Sequence, residues 1–179
     1  NEGQNSTSNE NLELVDWLES NLENFDIVVV ADYGNGFITD SMTEVISRKS
    51  KFLAINTQIN SGNRGYHVVN RYNSADFISL NEPEIRLARH DLQDSVVELS
   101  KVTAKLLNAN FISVTQGPAG LYTYCTNNDN SFKVPALSSN VVDRVGAGDA
   151  FLSISAICLG SDLNPEISIF LGATAAAID

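Results

Sequence analysis

The residue types best suited to chemistry lie together in the stretch Asp143-Arg144-Val145-Gly146-Ala147-Gly148-Asp149-Ala150-Phe151. Small residues at 146, 147 and 148 let the backbone approach a ligand closely, and the unpaired amides opening the helix that follows point at whatever lies there. That makes an anion site. Asp149 stands in the same turn. A carboxylate beside an anion hole suits a general base that takes a proton from a hydroxyl while the amides hold the phosphoryl group under attack. The same residues also read as a glycine turn in which Asp149 stabilises a helix dipole, and both readings stand on this stretch alone.

Residues 1–9 are polar and low in complexity, a loose lead-in, with Thr7 and Glu10 spaced as a capping box for a helix carrying Leu14, Val15, Leu18 and Leu22. Asp26-Ile27-Val28-Val29-Val30-Ala31 is a continuous apolar run rich in β-branched residues, as in a strand buried on both faces, and it ends in the turn Asp32-Tyr33-Gly34-Asn35-Gly36. A helix is expected over 40–48 and a second buried strand over 52–55, with 56–75 irregular. A third strand over 76–80 leads into Asn81-Glu82-Pro83-Glu84, where a proline in the first turn suits a helix start. Asp94 is expected to cap a helix with Val96, Leu99, Val102 and Leu106 on its apolar side. Strands follow over 111–115, 121–125 and 131–134, then a helix over 149–159 that is apolar nearly all round, and so expected to be buried, and an alanine-rich helix from Pro165. Alternating strands and helices imply an α/β layer structure with a mostly parallel sheet and ligands at the carboxyl ends of its strands.

Eleven Lys and Arg stand against 22 Asp and Glu, a net charge of −11. No window has even three consecutive basic residues, so neither nucleic acid nor an anionic membrane surface is expected as a partner. No apolar run reaches the roughly 18 residues of a membrane helix, and the first residues do not resemble a signal peptide. Cys125 and Cys158 lack metal-like spacing and sit in apolar stretches, so two reduced, buried thiols and a cytoplasmic location are expected. His67 and His90 are each isolated in polar segments and read as exposed, without a metal role. Trp17, with Leu14 and Leu18, reads as packing, and Tyr122 and Tyr124 as an ordinary alternating strand pair. The chain begins without Met, which leaves open that it is a fragment.

The stretch 143–149 resembles the C-terminal signature of the PfkB carbohydrate kinases, the ribokinase-like family, commonly written D-T-x-G-A-G-D. Asp143, Gly146, Ala147, Gly148 and Asp149 match, Val145 falls at the free position, and Arg144 departs where threonine is usual. The resemblance implies a ribokinase-like layered sandwich with a mostly parallel central sheet flanked by helices, of which residues 10–179 are the C-terminal, nucleotide-binding portion. It also implies ATP-dependent phosphoryl transfer to a hydroxyl of a sugar or sugar phosphate. Asp149 would be the catalytic base, and the amides of Gly146, Ala147 and Gly148 would stabilise the transferring γ-phosphoryl group.

Further patterns lie in that family's order. Asn81-Glu82-Pro83-Glu84 looks like its N-x-x-E motif, in which Glu84, with Asn81, would organise Mg²⁺ through water. Thr115-Gln116-Gly117-Pro118-Ala119-Gly120 is similar to its T-x-G-x-x-G turn, so Thr115, Gly117 and Gly120, with Asp143, would hold the nucleotide. Residues 171–177 look like the helix that flanks the adenine. The turn Ala31-Asp32-Tyr33-Gly34-Asn35-Gly36 resembles the D-Y-x-K-G turn of the branch that phosphorylates heptose 7-phosphate at the anomeric position, which makes Asp32 a substrate-binding candidate. Asn35 stands where that branch has lysine, and Asn56 where an aspartate is common. The resemblance further implies ATP and Mg²⁺ as cofactors, a monovalent cation as a further candidate, and a homodimer or a fusion to another enzyme domain as candidate assemblies. The family's N-terminal glycine-rich substrate motif and small β-sheet lid have no counterpart, so the isolated chain is expected to be inactive. Two other readings are a kinase-like interaction domain without MgATP affinity, and a dinucleotide-binding module built on Gly34-x-Gly36-x-x-Thr39, which lacks the third glycine.

Overall fold

The computed structural model of the protein describes residues 8–59, 67–137 and 146–178. Strands β1 (Val28–Asp32), β2 (Leu53–Thr57), β3 (Phe77–Asn81) and β4 (Phe111–Thr115) are parallel neighbours, and β5 (Leu121–Cys125) and β6 (Asn130–Val134) extend the sheet antiparallel in chain order. Helices α1 (Ser8–Asn21), α2 (Asp40–Lys49), α3 (Glu82–Arg89), α4 (Val96–Leu106), α5 (Ala147–Gly160) and α6 (Pro165–Ile178) cover the sheet. The expected α/β architecture with a mostly parallel sheet is therefore present. No helix among the described residues is long and apolar enough to cross a membrane.

Successive strand residues face opposite sides of a sheet, and this sequence places apolar residues on both. Leu53, Ile55, Ile78, Ile112 and Val114 enter one core with Met42, Ile46, Ile85 and Leu99 of α2, α3 and α4. Ala54, Phe77 and Leu121 enter a second core with Phe151, Leu152, Ala156 and Ile169 of α5 and α6. Phe151 meets Phe77 edge-on, ring centroids 6.3 Å apart, and full burial of each such side chain stabilises the fold by about 1.5–3 kcal/mol. Gly172 of α6 faces α5 so closely that a Cβ there would collide with Ser155. Tyr122 and Tyr124 share the first core, as their alternation predicts.

Several expectations are corrected. Ser95, not Asp94, caps α4, its hydroxyl accepting from the Glu98 N–H at 3.2 Å. Val102 and Leu106 are 44% and 55% exposed; the buried stripe runs through Val96, Leu99, Ser100, Thr103 and Ala104, which is the true i, i+3, i+4 face. Helix α5 is not buried all round: Ile154 and Ile157 are exposed, as are Ile167 and Phe170 of α6, because the sheet and the partner helix cover only one side of each. Both cysteines are free, but only Cys125 is buried. Helix α1 begins at Ser8, inside the expected lead-in, while Thr7 lies outside the described residues.

Candidate active site

Asp32, Asn81 and Thr115 are the last residues of β1, β3 and β4, so parallel register sets them along the carboxyl edge of the sheet, with Asn81 directly opposite Thr115. That edge is where ligands of such sheets bind.

Helix α5 opens beneath this edge. Gly146 is its N-cap at φ 102°, a conformation that a side chain would strain, and its carbonyl accepts the N–H groups of Asp149 and Ala150 at 2.8 and 2.9 Å. The amides of Ala147 and Gly148 make no bond within the helix, and a Cβ built on Gly148 meets nothing within 4 Å. The turn therefore offers donors and open space, as an anion site requires. Asp149 Oδ2 accepts a hydrogen bond from the Tyr33 hydroxyl at 2.5 Å. Asp149 Oδ1 is buried, with no hydrogen-bond partner among the described residues. The carboxylate pushes the Tyr33 phenol above its ordinary pKa, chiefly through that hydrogen bond. Asp143 and Arg144 lie outside the described residues.

Asp32 is 2% exposed and is held by its own chain. Oδ2 accepts from Arg71 Nη1 at 3.0 Å and from the Tyr72 hydroxyl at 2.9 Å, and Oδ1 accepts from the Gly34 N–H at 3.2 Å. His67 Nε2 lies 2.8 Å from Oδ1 without hydrogen-bond alignment, so that pairing is one of charge when the imidazole is protonated. Arg71 also donates to the Ile38 carbonyl and to Asp40, both at 2.9 Å. Burial first, and the charge of Asp32 second, push the Tyr72 phenol far up. Both oxygens of the substrate-binding candidate are thus engaged within the chain, and Asp32 shapes the turn after β1. Sequence reading missed Tyr33, Arg71 and Tyr72, and it left His67 exposed, whereas that ring is 11% exposed against Asp32. Arg71 and Tyr72 sit in a segment without periodicity; for Tyr33 the available signal was its place directly after the strand end.

Asn81 and Glu84 form a reciprocal capping box on α3. Asn81 Oδ1 accepts the Glu84 N–H, and Glu84 Oε2 accepts the Asn81 N–H, each at 2.8 Å. Glu84 Oε1 is less engaged, with the Ile59 N–H at 3.4 Å. Burial raises the Glu84 carboxyl above its ordinary value, against the opposing pull of the Asn81 and Ile59 amides. The neighbouring turn is tied on by Gln116, whose amide donates to Glu82 at 2.9 Å. Gly117 and Gly120 hold φ of 56° and 86° around a short 3-10 turn, Gly117–Ala119. A Cβ on Gly120 would collide with the Val134 carbonyl and lie 2.9 Å from the Ala136 nitrogen. No group of three or more His, Cys, Asp or Glu that could hold a metal ion occurs among the described residues.

A carboxylate at a glycine-opened helix start, at the carboxyl edge of a parallel sheet, puts an acidic group beside amides that can hold an anion. The family model described as pfkB family carbohydrate kinase matches residues 1–179, and the chain belongs to that family. The bifunctional protein HldE of Campylobacter fetus subsp. fetus (strain 82-40) is 27% identical over 169 residues, which are 93% of this chain and 36% of that protein. HldE of Trichlorobacter lovleyi is 25% identical, over 93% of this chain and 34% of that protein. The chain thus spans about a third of the length of these curated relatives. Phosphofructokinase-2 from Escherichia coli in complex with potassium superposes with a TM-score of 0.78 at 14% identity, over 95% of this chain and 55% of that one. Ribokinase from Thermotoga maritima gives 0.71 at 20% identity, over 93% and 53%. These likenesses establish the ribokinase-like fold and bear out the resemblance read from the motifs.

Proposed function

We propose that this chain is the nucleotide-binding, base-bearing part of a carbohydrate kinase that moves the γ-phosphoryl group of ATP to a hydroxyl of a sugar phosphate of the heptose 7-phosphate class. The observation that carries it is Asp149 in the opening turn of α5, with one oxygen held by Tyr33, beside the unpaired first amides of that helix. A carboxylate in that turn, beside unpaired helix amides, can take the proton of a hydroxyl that attacks a phosphoryl group held by those amides. In the reaction, the hydroxyl oxygen forms the new bond to the γ-phosphorus and its proton passes to the Asp149 carboxylate. The bond from the γ-phosphorus to the bridging oxygen breaks, and ADP leaves with that electron pair. The amides of Ala147 and Gly148 offset charge on the transferring group, and Thr115, Gly117 and Gly120, with Asp143, hold the nucleotide.

Glu84, with Asn81 beside it, would support Mg²⁺ through water. A single buried carboxylate with one lightly engaged oxygen suits an ion that keeps most of its waters and takes the rest of its ligands from phosphates. When bound, that ion neutralises phosphate charge. A monovalent cation, a fusion to a second enzyme domain and a cytoplasmic setting belong to the same proposal. The bifunctional HldE relatives support the fusion, and the resemblance of Asp32-Tyr33-Gly34-Asn35-Gly36 to the D-Y-x-K-G turn supports the heptose class; Asn35, in place of lysine, removes one positive charge from the acceptor side.

The test is coupled detection of ADP release from the full-length protein with ATP and heptose 7-phosphate. Sugar-dependent release supports the reading. No sugar-dependent release from any of a panel of hexoses, pentoses and heptose phosphates, together with no calorimetric binding of MgADP, would favour the interaction-domain alternative. Residues 1–179 alone should bind MgADP weakly and release no ADP above slow hydrolysis, because an unheld acceptor loses most of its effective molarity.

A further inference from the structure

The Tyr33 ring is 43% exposed, so hydrophobic burial does not explain its position. The backbone on both sides of it is fixed instead. Asp32 is anchored by Arg71 and Tyr72, and the Gly34 N–H is bonded back to Asp32, with Gly34 at φ 64°. This anchoring aims the Tyr33 hydroxyl at Asp149 Oδ2, at a distance typical of a charge-assisted O–H to carboxylate bond.

A carboxylate attached by one single bond rotates, and its two oxygens exchange roles unless one is held. We propose that Tyr33 is a positioning residue for phosphoryl transfer: its hydroxyl pins Oδ2 of Asp149 and thereby holds the carboxylate in the one orientation in which it receives the acceptor's proton. The proposal rests on the reading of Asp149 as the base. It gives the tyrosine of the turn after β1 a role that depends on no contact with the sugar. It also makes the buried Asp32 cluster the support of the base, through the backbone of residues 32–34. Reactivity falls steeply when a reacting group is misplaced or free to turn, so loss of the hydroxyl acts on turnover and not on nucleotide binding.

Two measurements test it. In residues 1–179, the ionisation of Tyr33 is followed by ultraviolet absorbance as pH is raised, its contribution identified by subtraction of Tyr33→Phe. Asp149→Ala should lower the pH at which Tyr33 ionises; an unchanged titration would show that the pair does not exist and overturn the proposal. In the full-length protein with ATP and heptose 7-phosphate, Tyr33→Phe should lower kcat about tenfold with the KM for ATP unchanged. The double variant Tyr33→Phe, Asp149→Asn should be no slower than Asp149→Asn alone. If Asp149→Asn is crippled while Tyr33→Phe keeps normal kcat, or if the two losses multiply, the positioning role fails and the base reading survives. If Asp149→Asn itself turns over normally, both fall.

Discussion

The hydroxyl of Tyr33 and the carboxylate of Asp149 lie 2.5 Å apart across 116 positions of sequence. The bond joins the turn after β1 to the first turn of α5, two segments that carry separate motifs and that no local pattern connects. Behind it stands Asp32, whose carboxylate holds the same turn from below.

Removing that support should be costly to the whole fold. Asp32→Ala leaves Arg71 and the Tyr72 hydroxyl without their shared acceptor in a buried site, and breaking one partner of a buried pair costs about 3–5 kcal/mol. Urea unfolding of residues 1–179 should show a loss of that size. A loss below about 1 kcal/mol, the value of an exposed pair, would contradict the buried network.

The two glycines of the 115–120 turn should respond differently to alanine. At Gly117 a Cβ meets nothing within 4 Å, and only the φ of 56° resists it, a cost of about 1–2 kcal/mol. At Gly120 the φ of 86° is compounded by collision with the backbone of residues 134–136, so Gly120→Ala should lower the melting temperature several degrees further and weaken MgADP binding. Equal melting temperatures for the two variants would contradict the packing of this turn against the end of β6.

Glu84 supplies a prediction in pH. Burial raises its carboxyl above the ordinary value, so the folded chain holds that proton more tightly than the unfolded chain. The stabilisation is complete below the ordinary glutamate pKa and is lost as pH rises through the folded value, by about 1.4 kcal/mol per unit of elevation. Glu84→Gln keeps an oxygen for the Asn81 amide, so the cap survives. The melting temperature of the variant relative to wild type should therefore climb from acid to neutral pH. The variant should also lose Mg²⁺ dependence of ADP binding in calorimetry. A pH-independent difference in melting temperature would remove the buried ionisable role, and an undiminished Mg²⁺ dependence would remove Glu84 from the metal proposal.

Much of this was legible in the sequence, for physical reasons that differ by element. The β-branched run of β1 and the apolar patterns of β2, β3 and β4 could be buried only between two helical layers, which fixed the parallel sheet and its carboxyl edge. Gly146 to Asp149 was legible because backbone exposure, helix amides and a carboxylate coincide within one turn. What escaped was the part built from long-range polar contacts. Arg71 and Tyr72 lie in a stretch with no period, and nothing local states that they close on Asp32. Val102 and Leu106 misled because an apolar residue marks a buried face only when the neighbouring layer reaches it. The capping box of Asn81 and Glu84 was visible as spacing, but the same two residues serve a helix start and a proposed ion site, and spacing alone does not distinguish them.

The central claim is that Asp149 takes the proton of the acceptor hydroxyl, and single-turnover kinetics of Asp149→Asn in the full-length protein with ATP and heptose 7-phosphate test it most directly. Asparagine keeps the size of the side chain and the start of α5, so MgADP affinity should stay close to wild type while the transfer step slows by at least the roughly 10² expected for a lost general base. Transfer at a near-normal rate in that variant would contradict the assignment.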